Sequence, residues 1–433
     1  MAEDNKDILL HYEIEAIIEN LEPTKLEDFG TKKWFEFHKK LMLLSQQSIL
    51  EVSDSRTEVV KEWFVTFQKI IILIHEAIQI SVWKRKVYHH LIDNNNQPTN
   101  TFMLYSVFYH ENISISLLEN ILYHCDSVES LDDSALDLVD YAVDYITRLV
   151  FQKKDKSTES SKNIEDISCL EELSQKKMEI EFDIGIKCIS IIGYFARFLD
   201  NLPLSILKRI LKTHDVPYLF CQLIENKPWK KINENNEIMI YNSTWEKVEK
   251  KESDKICRAE GQVWLGLREL LLNPKSGPYY EITEFRMTEL IKLQKYLHEK
   301  VLDQIAPLMD LRRWLSYLNI SSQTDHTKSS ALTVEIIPQI QSSIIEKYHK
   351  KWKKIAKIQA ETLFSKNIDY IKSMAEILSG AYDLDKLFLK DIKQCALCRR
   401  NATKKCSKCK NIFYCGRECQ VKDWTSHKNT CNS

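Results

Sequence analysis

The chain has 433 residues, and its 61 Lys and Arg nearly balance its 62 Asp and Glu, so the formal net charge is −1. This balance excludes a histone-like protein that binds nucleic acid along its whole length, because such a protein is strongly basic. Hydrophobic residues make up 44% of the chain, which has only 8 Gly and 9 Pro. This composition supports a large core in about two or three domains and excludes turn-rich folds such as β-sandwiches. We therefore predict a mainly α fold.

Apolar residues recur at helical spacing along most of the chain. In the segment 135–151, one apolar stripe contains Leu136, Val139, Val143, Ile146 and Val150. In chain order, the pattern predicts helices over 8–20, 58–80, 113–123, 135–151, 178–201, 256–272, 288–317 and 339–364. We expect these helices to form a protein-interaction body over residues 1–390.

Three segments of the body depart from the helical pattern. The segment 153–166 is charged and rich in Ser, which predicts a mobile loop. Apolar residues surround an Asn-Ser centre in 237–248, which predicts a small hairpin, and 321–330 resembles a linker. Helices with short polar connections fit an armadillo- or HEAT-like solenoid. Because no repeat of about 40 residues is evident, an irregular helical body is the alternative.

Targeting signals are not recognisable in the sequence. The first 20 residues mix acidic and apolar residues, whereas a secretory signal has a basic stretch followed by an apolar run. Charged and polar residues interrupt the most apolar segments, including 70–82, so none reads as a membrane span. We therefore expect a cytosolic or nuclear protein that is not secreted and does not bind membranes.

The twelve cysteines fall into two groups. Five are scattered through the body, where we expect small buried side chains. The other seven and one histidine form the pattern C-x2-C-x7-C-x2-C-x5-C-x3-C-x7-H-x3-C, which consists of Cys395, Cys398, Cys406, Cys409, Cys415, Cys419, His427 and Cys431. Eight such ligands suit two tetrahedral zinc ions, and full ligation leaves no position for a reactive water. We predict two structural Zn²⁺, although spacing alone leaves open which ligands share an ion.

The cysteine-rich segment is basic, with nine Lys or Arg and two acidic residues in 395–433. Nucleic-acid binding is one reading of this charge. However, no helix here has the base-reading arrangement of a C2H2 finger, and the order of the ligands differs. We therefore predict that the segment does not bind nucleic acid.

This ligand pattern resembles the MYND-type zinc finger family. The resemblance implies a cross-brace over 395–431, in which one zinc is held by Cys395, Cys398, Cys415 and Cys419. It implies that the other zinc is held by Cys406, Cys409, His427 and Cys431. A sequential pairing of the ligands is the alternative.

The same resemblance implies a peptide-binding role for three residues beside the ligands. In MYND fingers that bind proline-containing peptides, the contact positions correspond here to Ser407, Gln420 and Trp424. The indole would supply an apolar face and the amide would hydrogen-bond an extended peptide. The alternative is that Trp424 packs over Phe413 and Tyr414.

Enzymatic motifs are not present in the sequence. MYND fingers also occur in SET-domain lysine methyltransferases, where the finger is inserted in the catalytic region, whereas here it comes last. The glycines are too dispersed for a G-x-G or phosphate-binding loop, and no H-E-x-x-H or G-x-S-x-G is found. We predict that the protein is not an enzyme and has no catalytic residues.

Short strings in the body carry a second resemblance. They are WKRKV at 83–87, PTNTF at 98–102, LDLVDY at 136–141, THDVPYL at 213–219, GQVWL at 261–265 and LDQIAPL at 302–308. With the C-terminal finger, they resemble the BLU family of zinc finger MYND domain-containing proteins. The resemblance implies a non-enzymatic, co-chaperone-like adaptor for cytoplasmic preassembly of axonemal dynein arms, needed for motile cilia.

The resemblance also implies partners and a location. The partners are a leucine-rich-repeat assembly factor, the Hsp90 system with an FKBP-type immunophilin, and axonemal dynein chains as clients. The location is the cytoplasm, near centriolar satellites or the ciliary base. The alternative function is a nuclear MYND-type adaptor that recruits transcriptional corepressors. The nearest nuclear-localisation candidate, HKKWKK at 349–354, lies in a predicted amphipathic helix whose basic face is either solvated or docks an acidic partner.

Overall fold

The computed structural model describes residues 7–92, 98, 100–151, 168–233, 235–249, 252, 254–320, 337–389, 396–398, 402, 404–406, 409, 412–428 and 431. The predicted loop 153–166 and the predicted linker 321–330 lie outside these residues. The chain divides into two compact units, 1–371 and 372–433. The division falls within one helix and ahead of residue 390, where we placed the end of the body.

Helices dominate the first unit, which confirms the mainly α prediction. Its N-terminal half contains α1 His11–Glu19, α2 Lys32–Ser53, α3 Val59–Thr66, α4 Ile70–Lys86, α5 Tyr88–Ile92, α6 Phe102–Ile121, α7 Cys125–Glu129 and α8 Ser134–Phe151. The chain continues with α9 Cys169–Arg197, α10 Leu204–Lys208, α11 Val216–Asn226, α12 Arg258–Leu272, α13 Glu284–Lys292, α14 Glu299–Gln304 and α15 Leu308–Ile320. The last helices are α16 Ile340–Lys347, α17 Trp352–Leu363 and α18 Ile368–Leu389, and α18 continues into the second unit.

The longer helices of the first unit stack in two rows. One row consists of α2, α6, α9, α12 and α15, each packed on the next, and the other consists of α4, α8, α11 and α13. The rows contact each other through the pairs α4 with α6, α8 with α9, and α11 with α12. This stacking is typical of α-solenoids. The order is irregular at the end, because α16 returns to α4 and α8, and α17 returns to α5.

The single helix predicted over 58–80 was wrong. Gln68 has φ of +55°, and the chain bends by 91° between α3 and α4. Residues on nearly all sides of α4 are buried, so its apolar pattern reflects several neighbours and not one face. No single described helix is long and apolar enough to cross a membrane. Taken together, α3 and α4 have the length and apolar composition of a membrane span, but they form a bent pair and not one continuous helix.

The hairpin predicted over 237–248 is confirmed and belongs to a three-stranded antiparallel sheet. Its strands are β1 Lys230–Ile232, β2 Ile238–Asn242 and β3 Thr244–Val248, in that order across the sheet. Ser243 forms the turn with φ of +62°, and Tyr241 pairs with Trp245 across it. The hydroxyl of Tyr241 donates to Asp183 Oδ1 at 2.9 Å, which attaches the sheet to α9.

The second unit contains the cysteine-rich segment. Two short strands, β4 Lys404–Lys405 and β5 Phe413–Tyr414, pair antiparallel, and the helix α19 Arg417–His427 follows. Among the described residues of this segment the hydrophobic core is small: Cys406, Tyr414 and Cys431 are buried, and several other cysteines are half-buried around them. So few apolar groups supply little burial free energy, which makes additional cross-links necessary for a stable fold.

Candidate metal centre

The β4–β5 hairpin positions the second C-x2-C pair of the finger, Cys406 and Cys409. The two strands pair Lys404 with Tyr414, and the amide of Cys406 donates to the carbonyl of Ile412 at 2.8 Å. This bond closes the loop that contains Cys406 and Cys409, and the two sulfurs lie within 4.8 Å of each other. A C-x2-C turn closed in this way can direct two thiolates to one metal ion.

The end of α19 completes a four-ligand group. His427 is 3% exposed in the last turn of the helix, and its Nε2 lies 3.5 Å from Cys409 Sγ. The sulfurs of Cys406 and Cys431 lie 3.9 Å apart. One ligand atom from each of these four residues lies within 4.8 Å of the other three. The four therefore converge on one point, although they come from three different segments.

A second group forms at the start of α19. The amide of Ala396 donates to the carbonyl of Phe413 at 2.9 Å, which holds the first loop of the finger beside β5. Cys398 Sγ then lies 3.4 Å from Cys415 Sγ and 3.8 Å from Cys419 Sγ. Cys395 lies outside the described residues, so its place as the fourth ligand of this group stays a prediction.

These distances fit tetrahedral zinc. A Zn–S bond of about 2.3 Å places two thiolates on a tetrahedron about 3.8 Å apart. The sulfur–sulfur distances in both groups run from 3.4 to 3.9 Å. Cys415 and Cys419 also lie at the start of α19, where the helix dipole favours negative charge. Two zinc sites therefore fit the two groups, and the described ligands of each group come from both halves of the segment. This is the arrangement of a cross-brace and not of a sequential pairing.

The structure describes two of the three predicted peptide-contact residues, and these two differ in exposure. Ser407 lies outside the described residues. Gln420 is half-buried and Trp424 is 38% exposed, one helical turn further along α19. Trp424 contacts the ring of His427 edge-on at 5.8 Å between centroids. Tyr414, rather than Trp424, fills the core of the finger.

One apolar residue of this surface was missed in the sequence. Val421 is 62% exposed and lies three residues before Trp424, so both side chains lie on neighbouring parts of the same helical surface. Helical spacing from Trp424 was the signal that could have identified it. Together, Gln420, Val421 and Trp424 form what we call the α19 face.

Comparisons with known proteins agree with the geometry of the finger. The family model "MYND finger" matches residues 395–431. Several curated proteins match only about this part of the chain. N-lysine methyltransferase SMYD2 of Rattus norvegicus is 45% identical over 40 residues, 9% of each chain. Ubiquitin carboxyl-terminal hydrolase 19 of Arabidopsis thaliana is 42% identical over 57 residues, 12% of this chain and 8% of the hydrolase.

One relative matches the body as well as the finger. The zinc finger MYND domain-containing protein 10 homolog of Drosophila melanogaster is 34% identical over 444 residues, covering 97% of this chain and 98% of the relative. No solved structure matches the chain. Similarity at this level over nearly the full length of both proteins shows that the chain belongs to the family of zinc finger MYND domain-containing protein 10.

Proposed function

We propose that the protein is a non-enzymatic adaptor that captures a proline-containing peptide on the α19 face of its finger. The observation that carries the proposal is the exposure of Trp424, which is 38% accessible although Tyr414 already fills the core. A large aromatic side chain left in solvent beside a rigid metal site is well suited to bind an apolar ligand. Gln420, one turn away, offers amide groups to the backbone of an extended peptide.

The role that we propose for this adaptor is cytoplasmic preassembly of axonemal dynein arms in motile cilia. The proposal is supported by membership in the family and by the resemblance of the body strings. We propose as partners a leucine-rich-repeat assembly factor, the Hsp90 system with an FKBP-type immunophilin, and dynein chains as clients. The cytoplasm near centriolar satellites or the ciliary base is the proposed location. If the finger binds one protein and the body binds another, the chain holds the two partners close together and raises the concentration of each near the other.

The proposal includes no catalytic step. The matches to the methyltransferase and to the hydrolase cover 9% and 12% of this chain. They therefore concern the finger and carry no argument for the chemistry that those enzymes' names describe. The two zinc sites draw four protein ligands each under the predicted assignment, which leaves no open position for substrate or water.

Affinity purification from ciliating cells tests the proposed role. We expect the full chain to recover dynein chains together with chaperones, and a chain that lacks 395–433 to recover fewer of these proteins. Recovery of transcriptional corepressors from the nucleus, without dynein chains, would contradict the proposal and support the nuclear alternative. A body that retains all partners without the finger would show that the finger does not tether them.

Replacement of Trp424 tests the α19 face directly. We expect Trp424→Ala to weaken binding of the finger's partner by at least about 2 kcal/mol, or roughly thirty-fold in Kd, as for aromatic hot spots in other interfaces. Zinc content, measured by atomic absorption, should stay at that of the unmodified protein. Glu418→Ala, also exposed on α19, is the matched control and should bind normally. Loss of zinc in the Trp424 variant would instead indicate a packing role.

A further inference from the structure

The turn between α16 and α17 carries an unusual concentration of positive charge. The eleven residues from 347 to 357 read KYHKKWKKIAK, with six lysines, one histidine and no acidic residue. We call this segment the basic corner. Its lysines are Lys347, Lys350, Lys351, Lys353, Lys354 and Lys357. The predicted single helix over 339–364 was wrong here, because Lys350 adopts φ of +65° and starts a new helix direction.

The lysines all face away from the core. Tyr348 and Ile355 are 2% and 3% exposed and attach the two ends of the corner to the first unit. Asp137 accepts hydrogen bonds from the amides of Gln339 and Ile340, at 3.2 and 2.9 Å, which fixes the start of α16 against α8. All six lysines are exposed. The corner is therefore a rigid backbone turn that directs six flexible cations into solvent.

The lysines of the corner form no close ion pairs in the part of the chain that the structure describes. No carboxylate of the described residues lies within 4.0 Å of any of the six ammonium groups, although Glu346 and Glu361 flank the segment in the sequence. Other lysines of the first unit do pair. Lys61 lies 2.8 Å from Asp126, and Lys187 lies 2.6 Å from Asp183. Six like charges in a short turn repel one another, so a bound anionic partner would relieve a cost that the folded chain now carries.

We propose that the basic corner docks an acidic segment of a partner protein, in an extended conformation with several Asp or Glu side chains. The six lysines leave 55 basic and 62 acidic residues in the rest of the chain. The remaining surface is thus negative on balance and repels long polyanions such as nucleic acid or a planar anionic membrane. A short acidic segment can contact the corner alone, without lying against the negatively charged remainder of the surface. Lysine side chains suit this role, because each ammonium group is a point charge on a flexible stem and can adjust to the position of a carboxylate.

This site is separate from the α19 face, so the two proposals can fail independently. The α19 face presents an indole and a valine to an apolar peptide. The basic corner presents charges, so its binding should weaken steeply as salt rises, because exposed charges are screened over about 8 Å at physiological ionic strength. We also expect fast association with an acidic partner, because the positive charge of the corner attracts the partner over a distance.

The test uses the full zinc-loaded chain and a fluorescent peptide of about eight glutamates, long enough to extend over roughly 25 Å. Its affinity is measured by fluorescence anisotropy at low and physiological salt. In the test variant, glutamine replaces four lysines: Lys350, Lys351, Lys353 and Lys354. In the control variant, which makes the same change in net charge, glutamine replaces four exposed lysines elsewhere in the first unit: Lys40, Lys212, Lys231 and Lys255. Thermal unfolding verifies that both variants are folded.

We expect the corner variant to bind the glutamate peptide about tenfold more weakly than the unmodified chain, and the control variant to bind within about twofold of it. Equal losses in the two variants would overturn the proposal, because they would show an effect of net charge alone. Vesicles that contain phosphatidylserine and a short single-stranded DNA are tested in parallel. Tighter binding of either than of the peptide, lost only in the corner variant, would also overturn it by identifying a different occupant.

Discussion

Gln359 joins two segments of the first unit that are far apart in the chain. Its side chain is 1% exposed on α17. The amide oxygen accepts from the indole of Trp83 at 2.8 Å, and the amide nitrogen donates to the carbonyl of Leu26 at 2.6 Å. Both partners are buried, so one residue satisfies two polar groups that have no access to water. Through these two hydrogen bonds the amide connects α17 to the N-terminal half.

The replacement Gln359→Ala should therefore be costly. We expect it to lower the free energy of unfolding by about 2–4 kcal/mol, because the indole N–H and the carbonyl lose their partners and a cavity remains. Urea unfolding of the full chain measures this change. Gln341→Ala, at an exposed position on α16, is the control and should cost less than about 0.5 kcal/mol. Similar losses in both variants would contradict the role of Gln359.

A hydrogen-bonded chain of side chains, in which His38, Glu76 and His110 are fully buried, runs between α2, α4 and α6. Glu76 accepts from the amide and hydroxyl of Thr24, at 2.7 and 2.6 Å, and from Nε2 of His110 at 3.2 Å. The Nδ1 atoms of His110 and His38 lie 2.8 Å apart. Burial, with a smaller contribution from His110, holds the pKa of His38 well below its ordinary value of 6.5. His38 is therefore neutral in the folded protein where it would titrate in the unfolded chain.

This shift predicts a loss of stability on acidification. Below pH 6.5 the unfolded chain binds a proton at His38 that the folded protein does not, so the free energy of unfolding falls as pH falls. One such group contributes about 1.4 kcal/mol per pH unit below 6.5. We expect His38→Gln to show a shallower decline between pH 6.5 and 5.5 in urea unfolding than the unmodified chain. The exposed control Gln341→Ala, which removes no titratable group, should keep the original slope; equal slopes in all three proteins would exclude His38 as the cause.

At the scale of elements, the close contact between the turn before α2 and the helix α17 requires a glycine at position 30. Gly30 precedes α2 with φ of +83°, and a Cβ there would lie 2.5 Å from Leu363 Cδ2 on α17. The hydroxyl of Tyr370 also donates to the carbonyl of Gly30 at 2.8 Å. By contrast, a Cβ on Gly261, within α12, would meet its nearest neighbours at 3.8 and 3.9 Å. The structure therefore has no room for a side chain at Gly30, whereas it has room for a methyl group at Gly261.

Alanine at these two positions should have effects of opposite sign. Gly30→Ala should lower the melting temperature and the free energy of unfolding by about 1–3 kcal/mol, since it adds both backbone strain and a clash. Gly261→Ala should raise the free energy of unfolding by about 0.5–1 kcal/mol, because Ala has the higher helix propensity. Calorimetry of the two variants measures both changes, and a stable Gly30→Ala protein would show that this turn adapts.

The helices illustrate what periodicity predicts and what it does not. The segments predicted over 135–151 and 256–272 correspond closely to α8, which is buried on most sides, and to α12, which has one buried face. The segment 288–317 was predicted as one helix but forms α13, α14 and α15, with Pro307 just before the last. The helix α2 was not predicted, because its buried face includes His38, Gln47 and Ser48 and so lacks a clear apolar pattern.

At the scale of the whole molecule, the two units differ in what stabilises them. The first unit buries large apolar side chains throughout two rows of helices. In the finger, the described core consists of Tyr414 and two cysteines, with the Tyr414 hydroxyl donating to Asp423 Oδ2 at 2.7 Å. Burial in so small a core contributes little, whereas zinc binding contributes on the order of 10 kcal/mol to folding of such segments.

Removal of zinc should therefore unfold the finger and leave the first unit intact. We expect a chelator to abolish the hydrogen-exchange protection of α19 and of the β4–β5 pair, with protection of α6 and α9 unchanged. Mass spectrometry of exchanged peptides measures both regions in one sample, and added Zn²⁺ should restore the protection. Persistent protection of α19 in the chelated protein would contradict a structural role for the metal.

The sequence by itself determined the helical class of the body, the small hairpin and the extent of the finger, because apolar periodicity and ligand spacing are local properties of the chain. It left open which ligands share an ion, and the structure brings Cys398 together with Cys415 and Cys419. Only the tertiary structure decided that Trp424 is exposed, that Tyr414 fills the core of the finger, and that α16 and α17 return to the N-terminal half. These features depend on contacts between residues distant in the chain, and no local pattern encodes them.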